Sequence, residues 1–186
     1  MGQRGARVSP GGVTTSGERS LLAATVGTVV FVAFVPGTVV VVVPRLLSGW
    51  RIQPPLFAWA PVRWIGLVLL LLALPVFLDF LVGFVRRGHG TPAPIAPPER
   101  LVVSGGFRYV RNPGYIAVVS MVVGQGLFLG SKGVLVYAAC LALGFHLFVV
   151  LYEEPMLRGR FGEQYAAYCR RVPRWFPRVR GNGSGH

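Results

Sequence analysis

Four long stretches of this chain run almost without charge, and they constrain the fold more than anything else in it. Leu21 to Val43 has no charge, and Trp64 to Val85 has only Asp79. Gly114 to Gly130 has none, and in Gly133 to Tyr152 His146 is the sole ionisable group. A helix needs roughly 20 apolar residues to cross a bilayer, and each stretch is close to that length. The pattern therefore predicts an all-α, polytopic membrane bundle with four spans, the third of them short. The first stretch exceeds the ~7–15 residues of a signal-peptide core and ends in no A-x-A site, so it reads as a retained span.

The net charge of +13 must be placed within that frame. Charge alone points to a polyanionic partner, but 53% hydrophobic residues leave too little polar surface for a soluble basic domain, and nucleic acid is not an expected partner. Fifteen of the 19 basic residues fall in the N-terminal segment, the loop after the second span and the C-terminal tail. The positive-inside bias puts those regions, and both termini, in the cytoplasm. Trp50, Trp59 and Trp64 then gather at the opposite face as interfacial anchors. Of the basic residues only Lys132 is lysine. That composition fits a GC-rich bacterial gene and hence a bacterial plasma membrane.

Residues 1–20 read as a cytoplasmic segment, 21–177 as one membrane-embedded domain and 178–186 as a flexible tail. The short Ser131-Lys132 connection predicts an antiparallel helical hairpin. The proline-rich stretch from Pro92 to Pro98 should be extended. Phe161, Tyr165, Tyr168 and Val172 form one apolar stripe among arginines, which predicts an amphipathic helix on the cytoplasmic interface. Cys140 and Cys169 lie at different depths, and neither a disulfide nor a metal site is expected.

Ionisable groups within spans cost ~2.5–3.5 kcal/mol on insertion scales and each calls for a reason. Asp79 lies seven residues before Arg86, and His146 seven before Glu153. Both therefore sit about 10 Å below the cytoplasmic face, where they can line one polar cavity. Glu153 and Glu154 stand where the last span should end, a place the helix dipole makes unfavourable for carboxylates. One of them can serve to accept hydrogen bonds from a ligand, or both can be solvated and balanced by Arg158 and Arg160. Asn112-Pro113 opens the third span: Asn112 can cap it, Pro113 suits its first turn, and its free N–H groups beside Arg111 suit an anion. These candidates converge on the cytoplasmic ends of the second, third and fourth spans.

Arg111-Asn112-Pro113-x-Tyr115, Tyr152-Glu153-Glu154-Pro155, Phe161-Gly162-x-x-Tyr165-x-x-Tyr168 and Val172-Pro173-x-x-x-Pro177 resemble, in order and spacing, the isoprenylcysteine carboxyl methyltransferase family and the related phospholipid methyltransferases. The resemblance spans roughly residues 97–177. It implies S-adenosylmethionine as methyl donor and a lipid-like or prenylated acceptor arriving from the membrane, methylated on a carboxylate or an amine. It also implies cofactor-binding roles for Glu153, Glu154, Arg111, Asn112, Pro113 and Tyr115. His146, Asp79 and Arg111 are then expected at the reacting end, with His146 the candidate base for an amine acceptor. Two other readings stand beside it: a sterol-reductase-type membrane enzyme using a nicotinamide cofactor, and a non-enzymatic membrane assembly factor.

Overall fold

Prolines and glycines fix where the helices begin, bend and touch. The computed structural model describes residues 34–86 and 103–177. The N-terminal segment, the start of the first expected span, the proline-rich stretch and the tail from 178 lie outside them. Among the described residues the fold is all helical. The principal elements are α1 (Phe34–Ser48), α2 (Pro61–Arg86), α3 (Pro113–Leu129), α4 (Lys132–Phe148) and α5 (Glu154–Arg171). Short 3-10 turns occupy Leu56–Ala58 and Gly105–Arg108. Two helices are long and apolar enough to cross a membrane, Pro61–Val82 and the continuous Lys132–Arg171. Trp50, Trp59 and Trp64 are exposed near the start of α2.

Helices α2 and α3 share the most extensive interface, because two glycines let their backbones meet. A Cβ on Gly66 would lie 2.6 Å from the Gly124 carbonyl and 2.7 Å from the Phe128 nitrogen. One on Gly124 would lie 2.8 Å from the Gly66 carbonyl. Small residues that permit such approach are the usual basis of helix association in lipid, where the hydrophobic effect contributes little. The end of α3 is finished from the preceding loop. Gln53 N donates to Leu129 O at 2.9 Å, and the Arg63 guanidinium donates to Phe128 O at 3.1 Å and to Gln53 O. Gly130 and Ser131 make the expected tight hairpin, and Ser131 Oγ caps α4 by accepting from Val134 N.

Helix α1 carries a π turn at Thr38–Val42, with Pro44 just beyond it. Val43 N bonds to Thr38 O, and Pro44 has no N–H, so Val39 O and Val40 O both lose their usual donors. Tyr137 Oη donates to the first at 3.2 Å and Gln125 Nε2 to the second at 2.8 Å. These two polar side chains are thereby explained as backbone partners in an otherwise apolar core of Val40, Phe77, Ala117, Val118, Val122, Val134 and Ala138.

The same device recurs between α4 and α5, and here the structure departs from expectation. The sequence pattern ends the helix near Tyr152, but a π turn at Val149–Glu153 accommodates Pro155 and the helix runs on to Arg171. Glu153 and Glu154 are therefore not at a helix C-terminus, and the dipole argument against them does not apply. Gly162 (φ 49°, ψ −124°) then kinks α5. Beyond the kink Tyr165, Tyr168 and Val172 pack with Leu157, Phe161 and Cys169. Tyr165 is only 3% exposed, so this part of the apolar stripe is used in contacts within the protein.

Gly66→Ala and Gly124→Ala are each expected to destabilise the protein by about 1–3 kcal/mol through overpacking, read as a lower Tm in detergent. Gly144→Ala, with nothing within 4 Å of the added methyl, should be neutral or slightly stabilising.

Candidate functional site

Glu154 is the charged centre of the C-terminal half. It is 5% exposed, accepts hydrogen bonds from two arginines and has a third within ion-pair distance. Arg111, just before α3, donates through Nη1 at 3.0 Å. Arg174, past the end of α5, makes a bidentate pair, Nε to Oε1 at 2.6 Å and Nη2 to Oε2 at 3.0 Å. Arg158, one turn further along α5, reaches only to 3.8 Å and is 64% exposed. Glu154 lies past the apolar Gly133–Tyr152 stretch. Burial pushes its carboxyl up, but the Arg174 hydrogen bond and the charges of Arg111, Arg174 and Arg158 outweigh this and hold it below the ordinary carboxylate range. The bond to Glu154 in turn raises Arg174 above its ordinary value, against its own desolvation.

This cluster straps the C-terminal segment Val172–Pro177 across the start of α3. Arg111 N donates to Pro173 O at 2.9 Å and Asn112 Nδ2 to Arg174 O at 3.2 Å. Asn112 does occupy the N-cap position, but its side chain holds the strap instead of capping the helix. Pro113 takes the first turn as expected. Tyr168 Oη adds a bond to Phe107 O at 2.8 Å, fixing the Gly105–Arg108 turn beneath α5.

Glu153 faces elsewhere. It is half-buried, and Tyr115 Oη donates to its Oε2 at 3.1 Å. Among the described residues nothing donates to its Oε1. Tyr115 also packs on Phe145, with ring centroids 4.7 Å apart, so α3 and α4 together fix the orientation of this carboxylate. A second polar group is left unsatisfied at the start of α3. Arg111 Nε is buried and has no partner among the described residues, although its Nη1 serves both Glu154 and Cys169. The adjacent glutamates thus differ in kind: Glu154 is saturated by arginines, and Glu153 keeps an oxygen available.

Asp79 and His146 are not joined to each other. Asp79 lies against the Gly105 turn, so closely that a Cβ there would come within 2.8 Å of its Oδ2; Gly105 also has φ +62°, which favours glycine. His146 Nδ1 instead accepts from Trp175 Nε1 at 3.1 Å. Sequence reasoning missed Arg174 and Trp175. They fall in the unspecified positions between Pro173 and Pro177, where neither periodicity nor charge sets them apart. A cleft of about 480 Å³ lined by Gln53, Pro54, Ser131 and Lys132 opens at the opposite end of the bundle and includes none of these residues. Among the described residues no cluster of metal-binding side chains occurs.

The phospholipid methyltransferase family model matches residues 62–164, more than half of the chain. The match takes in Asp79, Arg111–Tyr115, His146 and both glutamates and ends before the strap. No curated protein matches the chain.

Glu154→Gln should cost about 3 kcal/mol, because it leaves Arg111 without its buried partner. Arg158→Ala should stay within about 0.5 kcal/mol. Hydrogen exchange at the Arg111 amide, which bonds to Pro173, reports the strap directly. The Glu154 carboxyl is lowered by folding, so its contribution is full above the unfolded value of about 4.3 and is lost as pH falls through the folded one. The wild type should therefore lose Arg111 protection only in acid, and Glu154→Gln already at neutral pH.

Proposed function

The chain belongs to the phospholipid methyltransferase family of membrane methyltransferases, and on that premise we propose that it transfers a methyl group from S-adenosylmethionine to a lipid-like acceptor. Two unsatisfied groups carry the cofactor reading: Glu153 Oε1, a carboxylate oxygen with no described donor, and Arg111 Nε, a buried donor with no described acceptor. An acceptor and a donor so held suit the zwitterionic ammonium and carboxylate of an amino acid, which the methionyl part of the donor carries. Glu153 and Arg111 would hold that moiety, with Tyr115 fixing Glu153 and Asn112, Pro113 and Glu154 fixing Arg111. Bound there, the donor supplies an electrophilic methyl on a sulfonium.

The protein's contribution is alignment and exclusion of water. Holding two reactants in line is worth up to ~7–11 kcal/mol by effective-molarity arguments, without a nucleophilic side chain or a metal. Asp79, against the Gly105 turn, and His146, about 10 Å along its helix from Glu153, line the acceptor side. We place both termini and this site on the cytoplasmic face of a four-span bundle in the plasma membrane. The π turn supports that depth. Glu154 N bonds to Val149 O and Pro155 has no N–H, so Val150 O and Leu151 O lack their usual helical donors, which suits the polar boundary rather than the hydrocarbon. From Lys132 to the kink at Gly162 the helix would run about 45 Å, well beyond the apolar thickness of about 30 Å, so its end lies outside.

Purified protein in detergent should incorporate label from methyl-labelled S-adenosylmethionine into a lipid extract. Release of the label by mild base marks an ester, and retention marks an amine. Tyr115→Phe should weaken donor binding several-fold. Tight binding of a nicotinamide cofactor with no methyl incorporation would favour the reductase reading and overturn this one.

A further inference from the structure

Trp175 is the strap residue that reaches His146. Its indole N–H can only donate, and it donates to His146 Nδ1 at 3.1 Å, with the two ring centroids 6.0 Å apart. A neutral imidazole has a single in-plane lone pair, and here that lone pair lies on Nδ1 and is taken by the indole. The ring proton is therefore on Nε2. His146, which the sequence offers as a base, has no free basic nitrogen while the strap is closed.

We propose that Trp175 is a positioning residue that fixes His146 as its Nε2–H tautomer, so that His146 acts toward the acceptor as a hydrogen-bond donor to an oxygen rather than as a base. The acceptor side of the inference rests on the methyltransferase reading. The tautomer itself does not. The chemical class follows from the donor: a phosphate, ester or carboxylate oxygen of the acceptor's head group is what an N–H can orient. An amine acceptor must then meet the methyl group already neutral, because His146 cannot take its proton.

The strap is built to make this dependence rigid. Trp175 directly follows Arg174, whose bidentate bond to Glu154 and backbone bond from Asn112 fix the segment just before the indole. Pro173 on the other side of Arg174 is held by the Arg111 amide. The motif residues at the start of α3 therefore act on His146 through the strap, without touching it.

The chain has three histidines, which makes nitrogen spectra of the ring tractable. The test is a long-range 15N–1H correlation on labelled full-length protein in detergent at pH about 8, where an ordinary imidazole is neutral. His146→Gln identifies the signals. The wild type should show His146 Nδ1 unprotonated and Nε2 protonated, and Trp175→Phe should shift both toward a mixture of tautomers. In the same variant kcat for methyl transfer should fall about tenfold through misalignment, with donor affinity unchanged. A wild-type ring protonated on Nδ1, or a tautomer unaffected by Trp175→Phe, overturns the proposal, and the wild-type spectrum decides even if the variant is unstable. If the tautomer is as stated but the wild type transfers no methyl group, the positioning by Trp175 stands and the methyltransferase reading fails.

Discussion

The carboxylate of Glu154 holds together parts of the chain that are far apart in sequence: the start of α3 through Arg111, and the C-terminal segment through Arg174. Buried at 5% exposure, it can remain ionised only because these guanidiniums surround it. From this one interaction follow the path of the strap over α3, the bond from Asn112 to the strap backbone, and the reach of Trp175 to His146. Arg111 in turn is held with one nitrogen on Glu154 and another, Nε, still without a described partner.

Two adjacent glutamates consequently do different work. The π turn is what permits it. Proline in a regular helix removes a hydrogen bond and clashes with the preceding turn. By widening the turn at Val149–Glu153 the chain keeps one continuous helix through Pro155, and Glu153 faces Tyr115 while Glu154 faces the arginines. Bulges of this kind are frequent at functional sites. The matching turn before Pro44 has no part in the site, and there Gln125 and Tyr137 satisfy the freed carbonyls.

Much of this was legible in the sequence, and the failures have physical causes. The apolar runs located α2, α3 and α4 to within a few residues, because an uncharged stretch of that length has few other ways to satisfy its backbone. The residues converging on the site also share one end of the bundle, although Asp79 lies against the Gly105 turn and His146 meets the strap rather than Asp79. Glu-Glu-Pro reads as a helix end because proline normally ends helices, and nothing local announces that a π turn will absorb it. The stripe from Phe161 to Val172 has the period of an interfacial helix, but the kink at Gly162 turns Tyr165 and Tyr168 inward. Arg174 and Trp175 were invisible because their role depends on a fold-back that no periodicity encodes.

The division of labour between Glu153 and Glu154 can be tested by a paired experiment on the two single variants. Affinity for S-adenosylmethionine and hydrogen-exchange protection of the Arg111 amide are determined for Glu153→Gln and Glu154→Gln. Glu153→Gln should lose donor affinity at least about tenfold, as for a charged hydrogen bond removed, and leave the Arg111 amide protected. Glu154→Gln should expose that amide. If Glu153→Gln keeps wild-type affinity, or if it alone releases the strap, the division assigned to the two carboxylates is wrong.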